Sequence, residues 1–291
     1  MLFATLVGPA LSPGDLRVAS DALAAAGATP QHWTWIDDGL AADLPLTGLE
    51  LVVARDVLEA ALPAVDVIVQ STFAPRRKML LIADMDSTMI TIECIDELAD
   101  YAGIKPQIAA ITEAAMRGDL DFVGALDARV ALLKDLDAAV IDQCRAERVR
   151  LMPGARTLVQ TMRGAGAATI LVSGGFTAFA EPVGAEIGFA RVVANVLEIA
   201  DGKLMGTVAR PVVDSATKLA ELRGAGVALP ATLAVGDGAN DIPMIEAAGL
   251  GIAYHAAHRG RRASCGAPRR PDCATLCARL CPQGLGGLGG V

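Results

Sequence analysis

Three short apolar runs, each ending in polar residues, constrain the fold of this chain more than any other feature. They are "KMLLIADMD" (78–86), "ATILVSGG" (168–175) and "ATLAVGDGAND" (231–241). Apolar runs without alternation are typical of strands that are buried on both faces of a parallel sheet. Segments with helical spacing, such as "GARTLVQTMRGAG", lie between them. The pattern predicts an α/β fold with a Rossmann-like parallel sheet and helices on both faces.

The segment after the first run has a different pattern. Residues 91–150 contain no strand candidate, and the apolar positions of "IAAITEAAM" and "FVGALDARVALLKDL" recur at helical spacing. We therefore expect a set of helices inserted after the first strand of the sheet. Further on, Asp201-Gly202 in "NVLEIADGKLMGTV" suits a type I′ turn and predicts a β-hairpin.

Residues 1–74 predict a separate small α+β unit. "LFATLVG" and "QHWTWID" are strand candidates on either side of an amphipathic helix that ends at a glycine. "LELVVARDVLEAAL" and "VDVIVQ" supply a strand, a helix and a final strand, and the polar "STFAPRRK" (71–78) is typical of a linker. The second domain then covers residues 75–257.

Composition excludes several classes of function. The chain has 291 residues and a formal charge of −8, which argues against electrostatic binding of nucleic acid. No apolar run reaches the length of about 18 residues that a membrane span needs, and the start lacks the basic region of a signal peptide. Only Cys94 and Cys144 precede residue 260. We therefore expect a cytoplasmic protein without a disulfide framework or a membrane partner.

Acidic and hydroxyl side chains follow the three predicted strands. Asp84 and Asp86 follow the first, Ser173 the second, and Asp237 and Asp241 the third. In open α/β sheets, ligands bind beyond the carboxyl ends of the strands. If the strands are neighbours, four carboxylates converge and repel one another unless a cation is bound. Oxygen ligands together with a substrate phosphate suit Mg²⁺.

Two further features predict phosphate binding. Lys218 lies on a helix that would run back to the same end of the sheet, where it could neutralise a phosphate. Ser173-Gly174-Gly175 offers a hydroxyl and unobstructed backbone N–H groups near a helix start. The set thus contains a carboxylate nucleophile, a second carboxylate for proton transfer, a metal and a phosphate cradle.

"DMDST", "SGG", the isolated lysine and "GDGAND" resemble the four ordered motifs of haloacid dehalogenase-like phosphatases. "GFTAFAEPV" and "VGDGANDIPMIEAAGLGIAYHA" are similar to the phosphoserine phosphatase family among them. The resemblance covers residues 1 to about 255. It implies that 91–150 is a helical cap on the phosphatase core and that 1–74 is an ACT-like regulatory domain.

The resemblance also implies roles for the motif residues. Asp84 would attack phosphorus and form an aspartyl-phosphate, while Asp86 would protonate the leaving oxygen and then deprotonate water. Mg²⁺ would be held by the side chains of Asp84 and Asp237 and by the backbone carbonyl of Asp86. Other motif residues would bind the phosphate or support the site: Ser173, Gly174 and Lys218 at the phosphate oxygens, Asn240 near the phosphate, and Asp241 orienting the lysine.

Substrate choice would come from the cap. Glu93 matches the family's partner for a substrate amine, and Arg129 matches its partner for a carboxylate. Met116 and Phe122 match apolar positions that close the pocket. These four implied roles favour O-phospho-L-serine as substrate, hydrolysed in the last step of serine biosynthesis. For the charged pair the alternative is exposure to solvent on the cap helices, and for the apolar pair it is core packing.

Other functions stay open at this point. One is a related phosphatase or phosphotransferase that acts on another small phosphate, such as phosphohomoserine. Another is a non-enzymatic, receiver-like domain in which an aspartate of the acidic pocket is phosphorylated, and a third is a catalytically inactive binding protein. The sequence leaves open whether the chain forms a homodimer and what the N-terminal unit binds.

The tail has a composition of its own. Arginine, cysteine, glycine and proline rise together in residues 258–291, and the resemblance ends just before them. We interpret this as a shift of reading frame near residues 254–257, which predicts a largely disordered tail without function. Cys273, Cys277 and Cys281 would share one helix face, but their spacing is not that of a usual zinc site.

Overall fold

The computed structural model describes residues 1–254. The tail 258–291, its cysteines and the proposed shift of reading frame before it lie outside the described residues. The side chain of Met116 lies outside them as well. Among residues 1–254, no helix is both long enough and apolar enough to cross a membrane.

The first 71 residues form an antiparallel sheet with two helices. In chain order the elements are β1 (Leu2–Val7), α1 (Pro13–Ala25), β2 (Thr29–Pro30), β3 (Thr34–Asp37), β4 (Ala41–Thr47), α2 (Leu51–Ala61) and β5 (Asp66–Ser71). The strand order is β2-β4-β1-β5, and β3 also pairs with β4. Leu16 and Leu58 of the two helices pack with Leu6 and Leu44 of the sheet in one buried cluster.

Sequence patterns missed strand β4, and the strand expected at the start of "LELVVARDVLEAAL" is wrong, because α2 already begins at Leu51. Strand β4 pairs with β1 along the whole length of β1, and its Pro45 lies opposite Phe3. Proline lacks the N–H that a ladder needs, so a run containing it argues against a central strand. The predicted strand "QHWTWID" is also shorter than expected, because only Thr34–Asp37 is in β3.

The second part of the chain is built on a five-stranded sheet. Its elements are β6 (Leu80–Ala83), the helices α3 (Cys94–Tyr101), α4 (Lys105–Arg117), α5 (Phe122–Ala131), α6 (Ala139–Arg148) and α7 (Ala155–Gly164), then β7 (Ala168–Phe176), α8 (Thr177–Ile187), β8 (Arg191–Asn195), β9 (Leu197–Ala200), β10 (Lys203–Val208), α9 (Ser215–Gly224), β11 (Thr232–Gly236), α10 (Ile242–Ala247) and β12 (Leu250–Ala253). The order β12-β11-β6-β7-β8 is parallel throughout. The predicted α/β fold is confirmed.

Both faces of this sheet are covered, as the unbroken apolar runs require. Leu81 of β6 belongs to a buried cluster that includes Leu158 of α7 and Phe179 of α8. Leu80, the preceding residue, faces the other side and packs in a cluster with Leu222 of α9. Successive residues of one strand thus meet different helices, and neither face of β6 is open to water.

The four helices α3–α6 form an insertion whose two ends lie side by side. Ile90 and Leu151 form an isolated antiparallel bridge. On either side of it, the N–H of Thr91 donates to the carbonyl of Arg150 at 3.0 Å, and the N–H of Met152 donates to that of Met89 at 2.8 Å. The chain therefore leaves the sheet and returns to it at nearly the same point.

The predicted hairpin is also confirmed. Strands β9 and β10 pair as a separate two-stranded antiparallel sheet. Asp201 and Gly202 at its tip have φ angles of 49° and 74°. Positive φ at both central residues is the signature of a type I′ turn.

Candidate active site

The carboxyl ends of β11, β6 and β7 lie next to each other, because these strands are neighbours in the sheet. Asp84 follows β6 and is 6% exposed. Its N–H donates to the carbonyl of Val235 at 3.0 Å, which extends the ladder between β6 and β11 by one residue. The N–H of Met85 donates to Oδ1 of Asp84 at 2.7 Å. The carboxylate is thus fixed at the floor of a crevice.

Lys218 lies between two of the carboxylates. Its Nζ is 2.8 Å from Oδ2 of Asp84 and 2.7 Å from Oδ1 of Asp241, and its side chain is fully buried. Burial opposes the positive charge, but the two carboxylates outweigh it and raise the pKa of Lys218. For Asp84, burial and the charge of Asp241 raise the pKa, while the lysine lowers it. The lysine therefore offsets the repulsion between the two acids.

Both oxygens of Asp241 are engaged. Oδ1 accepts from Lys218, and Oδ2 accepts from the N–H groups of Asp237 and Gly238 at 3.1 and 3.0 Å. A Cβ on Gly236 would lie 2.4 Å from this carboxylate, so only glycine fits at the end of β11. Asp241 thus holds the lysine and the loop after β11 in one arrangement.

The acidic groups at this end suit a cation. Oxygens of Asp84, Asp237 and Asp241 lie within 4.8 Å of one another. Burial and the charge of Asp241 raise the pKa of Asp237 to about 7, as expected where positive charge is lacking. Asp84 and Asp237 face the crevice, whereas Asp241 is fully buried behind it, so the carboxylates of Asp84 and Asp237 are the better candidates for ligands. The hydroxyl of Thr88 donates to Oδ1 of Asp237 at 2.9 Å and orients it.

Asp86 lies in a different environment from Asp84. Its Oδ1 is buried and has no hydrogen-bond partner among residues 1–254. Burial and the charge of Glu93 raise the pKa of Asp86 to about 7. A Cβ on Gly175 would lie 2.7 Å from Oδ2 of Asp86, so this glycine permits the end of β7 to approach Asp86 closely. A carboxyl group with such a pKa can give and take a proton near neutrality.

The end of β7 supplies the hydroxyl and backbone groups expected of a phosphate cradle. Ser173 is 1% exposed, and its Oγ accepts from the N–H of Gly175 at 2.9 Å. A Cβ on Gly174 would lie 3.2 Å from the ring of Phe122, which descends from the cap. The strand end and the cap are therefore in close contact here.

The cap places two charged groups above the crevice. Oγ of Ser87 donates to Oε1 of Glu93 at 2.6 Å, and burial raises the pKa of this glutamate. Nε of Arg129 donates to the carbonyl of Ala125 at 3.2 Å. Within residues 1–254, the arginine has no acidic oxygen within 4.0 Å of its guanidinium nitrogens. Its outer nitrogens are thus available to a ligand.

These groups surround one cavity of about 570 Å³. Most of the predicted site residues line it: Asp84, Asp86, Glu93, Phe122, Arg129, Ser173, Gly174, Asp237 and Asn240. Lys218 and Asp241 lie behind its wall, in contact with Asp84 and Asp237. The roles predicted for these residues stay predictions. For Met116, only its position on α4 is described.

Sequence reasoning missed two supporting residues, Ser87 and Thr88. Both follow "DMD" directly, and their hydroxyls contact Glu93 and Asp237, respectively. Their position in the sequence could have indicated this role, because a hydroxyl that directly follows a catalytic carboxylate lies close to other acidic groups and can donate a hydrogen bond to them.

The sequence also matches a known protein family, in agreement with this geometry. The model of the haloacid dehalogenase-like hydrolases matches residues 81–246. The chain belongs to this family. The matched range begins in β6 and ends in α10, so it contains all four groups of motif residues and the inserted helices.

Curated relatives of the chain are named phosphoserine phosphatases. The chain is 46% identical over 223 residues to phosphoserine phosphatase of Streptomyces coelicolor, a match that covers 74% of this chain and 54% of that protein. It is 48% identical over 191 residues to phosphoserine phosphatase of Polaromonas sp., covering 62% of this chain and 81% of that protein. The chain thus spans about half the length of the Streptomyces relative.

A solved structure extends the likeness to the N-terminal unit. The unliganded probable phosphoserine phosphatase of Vibrio cholerae has a TM-score of 0.77 with this hydrolase-family chain at 33% identity. The superposition covers 96% of this chain and 87% of that one. The similarity therefore includes the first 71 residues as well as the parallel sheet.

Proposed function

We propose that this protein is a Mg²⁺-dependent phosphoserine phosphatase, which hydrolyses O-phospho-L-serine to L-serine and phosphate. One observation carries the proposal: a single cavity is lined by Asp84, which is paired with the buried Lys218, and by Glu93 and Arg129, the latter without an ion pair among residues 1–254. A phosphate monoester of an amino acid needs one set of groups for its phosphate and a second set for its carboxylate and ammonium groups. The names of the relatives support the same substrate.

The chemistry would take two steps on Asp84. Its carboxylate attacks phosphorus, and the seryl oxygen leaves with a proton from Asp86, which gives an aspartyl-phosphate. Asp86, now deprotonated, takes a proton from water, and the resulting hydroxide attacks phosphorus and releases phosphate. The pKa of about 7 fits Asp86 to both transfers.

The side chains of Asp84 and Asp237 and the backbone carbonyl of Asp86 would hold Mg²⁺. The ion would offset the repulsion between an anionic nucleophile and an anionic phosphate, and stabilise charge on the transferred group. Hard oxygen donors are the ligand type that Mg²⁺ prefers. Thr88 keeps one of these donors in place.

The phosphate would be bound by Ser173, Gly174, Lys218 and Asn240. Lys218 is buried just behind the cavity wall, 2.8 Å from Asp84, where its charge acts at low dielectric and is little screened. Ser173 and Gly174 line the cavity at the end of β7, and Asn240 lines it after β11. Asp241 positions the lysine and does not touch substrate.

The serine part would be bound by the cap. Arg129 would pair with the substrate carboxylate, a geometry that suits a guanidinium, and Glu93 would accept the ammonium group. Phe122 lines the cavity and packs on Gly174, and we assign it, with Met116, to closing the pocket. These assignments favour a zwitterionic substrate over a sugar phosphate.

We assign residues 1–74 to an ACT-like regulatory domain, 75–257 to the phosphatase core and about 91–150 to its cap. The βα-rich antiparallel layout of the first 71 residues supports the first assignment. A cytoplasmic location, a role in serine biosynthesis and a homodimer are the accompanying expectations. Purification and sedimentation of the full chain would test the dimer.

Phosphate release from O-phospho-L-serine tests the function. We expect release that needs Mg²⁺, stops with EDTA and falls by about 10³-fold or more in Asp84→Asn. Asp142→Asn changes an exposed aspartate on α6 and should leave the rate unchanged. Undiminished activity in Asp84→Asn would contradict the mechanism.

Two other outcomes would identify rival functions. A higher kcat/KM for phosphohomoserine than for phosphoserine would make the protein a related phosphatase with another substrate. A long-lived phospho-form without phosphate release would favour a receiver-like domain. The same assay with a panel of phosphoamino acids separates these outcomes.

A further inference from the structure

We propose that Asn195 is a positioning residue that sets the distance between the phosphate-binding carboxyl end of β7 and the helix that carries Lys218. It is the last residue of β8 and is 2% exposed. Its Nδ2 donates to the carbonyl of Gly174 at 2.8 Å, and its Oδ1 accepts from the N–H of Val213 at 2.7 Å. The proposal rests on the proposed function.

The side chain makes no contribution to the wall of the cavity. Its carboxamide is instead satisfied on both sides by backbone, with a longer contact of 3.4 Å from Nδ2 to the carbonyl of Val213. The orientation is fixed because an N–H group can only donate and a carbonyl can only accept. The side chain of Asn195 therefore connects the end of β7 to the segment before α9.

The two connected segments lead to groups that would bind the same phosphate. Gly174 lines the cavity beside Ser173. Val213 immediately precedes Asp214, the N-cap of α9, whose side chain accepts from the N–H of Thr217 at 2.8 Å. Lys218 follows in the first turns of this helix. Asn195 thus joins the part of the phosphate cradle that contains Ser173 and Gly174 to the helix that carries Lys218.

The effect of this link would appear in phosphate binding rather than in recognition of serine. Glu93 and Arg129 are carried by the cap, which Asn195 does not contact through any of its hydrogen bonds. Displacement of the end of β7 would misplace the phosphate of every substrate, and misplacement of about 1 Å can cost about 10²-fold in rate. Discrimination between substrates would stay unchanged.

Asn195→Asp tests the proposal with minimal change of shape. The carboxylate still accepts from Val213 but opposes the carbonyl of Gly174, because two acceptors then face each other. We expect kcat/KM to fall by about 10²-fold for both O-phospho-L-serine and 4-nitrophenyl phosphate. The ratio between the two substrates should not change, and the Ki of inorganic phosphate should rise at least about tenfold.

Thr232→Val is the matched control. Thr232 is fully buried at the amino end of β11, and its hydroxyl also connects two loops, donating to the carbonyl of Leu229 at 2.7 Å and accepting from the N–H of Gly249 at 3.1 Å. This variant should lower the melting temperature but leave the Ki of phosphate unchanged. The comparison separates a general loss of stability from a loss of positioning.

Asn195→Ala removes the link without adding a charge and decides the question if Asn195→Asp fails to fold. An unchanged Ki of phosphate in either folded variant would overturn the proposal, as would a failure of both variants to fold, since a purely structural role would then suffice. A wild-type protein without phosphatase activity would contradict the proposed function instead. The two failures are thus distinguishable.

Discussion

The two ends of the cavity differ in how their charged groups are used. At the phosphate end, Lys218 and Asp241 are fully buried and bonded to each other, and Asp241 also accepts two backbone N–H groups. At the cap end, Arg129 has no acidic partner within 4.0 Å among the described residues. Glu93 accepts a hydrogen bond from the hydroxyl of Ser87 and has no ion pair within residues 1–254.

This difference follows from what each end has to do. Phosphoryl transfer requires the same charges for every phosphate monoester, so these can be fixed before substrate arrives. Recognition of an amino acid requires donors and acceptors that are free to pair with it. Variants at the phosphate end should therefore affect all substrates, and variants at the cap end should affect mainly those that carry an amino-acid part.

Lys218→Met should have the largest effect. It leaves Asp84 and Asp241 buried without their cation, which costs about 3–5 kcal/mol of folding stability. Loss of the charge from the phosphate site should also lower kcat/KM by about 10²–10³-fold for phosphoserine and 4-nitrophenyl phosphate alike. Thermal unfolding and steady-state kinetics measure both effects.

Lys203→Met is the control for this variant, because Lys203 is exposed on β10. It should change neither the melting temperature nor the rates. If Lys218→Met lowered kcat/KM only for phosphoserine, the groups at the phosphate end would not act on all substrates. The proposed difference between the two ends would then be wrong.

Arg129→Ala should have the opposite selectivity. A charged hydrogen-bonded contact contributes about 1.5–3 kcal/mol, so kcat/KM for phosphoserine should fall by about 10- to 150-fold, mainly through KM. The values for 4-nitrophenyl phosphate should barely move, since it has no carboxylate. Arg117→Ala, on the exposed surface of the same cap, serves as the control. Equal losses with both substrates would contradict the carboxylate role.

Thr88→Val should weaken the metal site. Removal of a hydrogen bond to a metal-binding carboxylate costs about 10–100-fold in metal affinity. Calorimetric titration of Mg²⁺ in the absence of substrate should show this loss, and Thr88→Ser, which keeps the hydroxyl, should restore most of the affinity. Equal affinity in the valine variant and the wild type would exclude this role of Thr88.

Ser87→Ala should have the smallest effect. One hydrogen bond contributes about 1 kcal/mol, so KM for phosphoserine should rise about fivefold while kcat stays the same. 4-Nitrophenyl phosphate should be unaffected. A change in kcat for both substrates would place the influence of Ser87 at the phosphate end.

The sequence was sufficient to predict the parallel sheet and the groups at its edge. Three apolar runs end in polar residues, two of them in aspartates and one in Ser173, and the structure brings the three strands together as neighbours. The hairpin followed from Asp201-Gly202, a residue pair that favours the positive φ angles found at both positions. These features are local, and local patterns are what a sequence displays.

The remaining features depend on contacts between distant residues. Strand β4 contains Pro45, so its ladder to β1 could not be inferred from its own composition. The bond from Thr88 to Asp237 joins residues that are 149 positions apart. Asn195 ends the outer strand β8, and its role becomes visible only when Gly174 and Val213 are seen on either side of it.

The adjoining ends of the inserted helices have a consequence for how such proteins can diversify. The proposed serine-binding groups, Glu93 and Arg129, lie within one continuous stretch whose termini meet at the bridge between Ile90 and Leu151. The groups that act on phosphate lie outside this stretch. Exchange of a single gene segment could therefore give the same reaction centre a different substrate, without any change to the strands that build it.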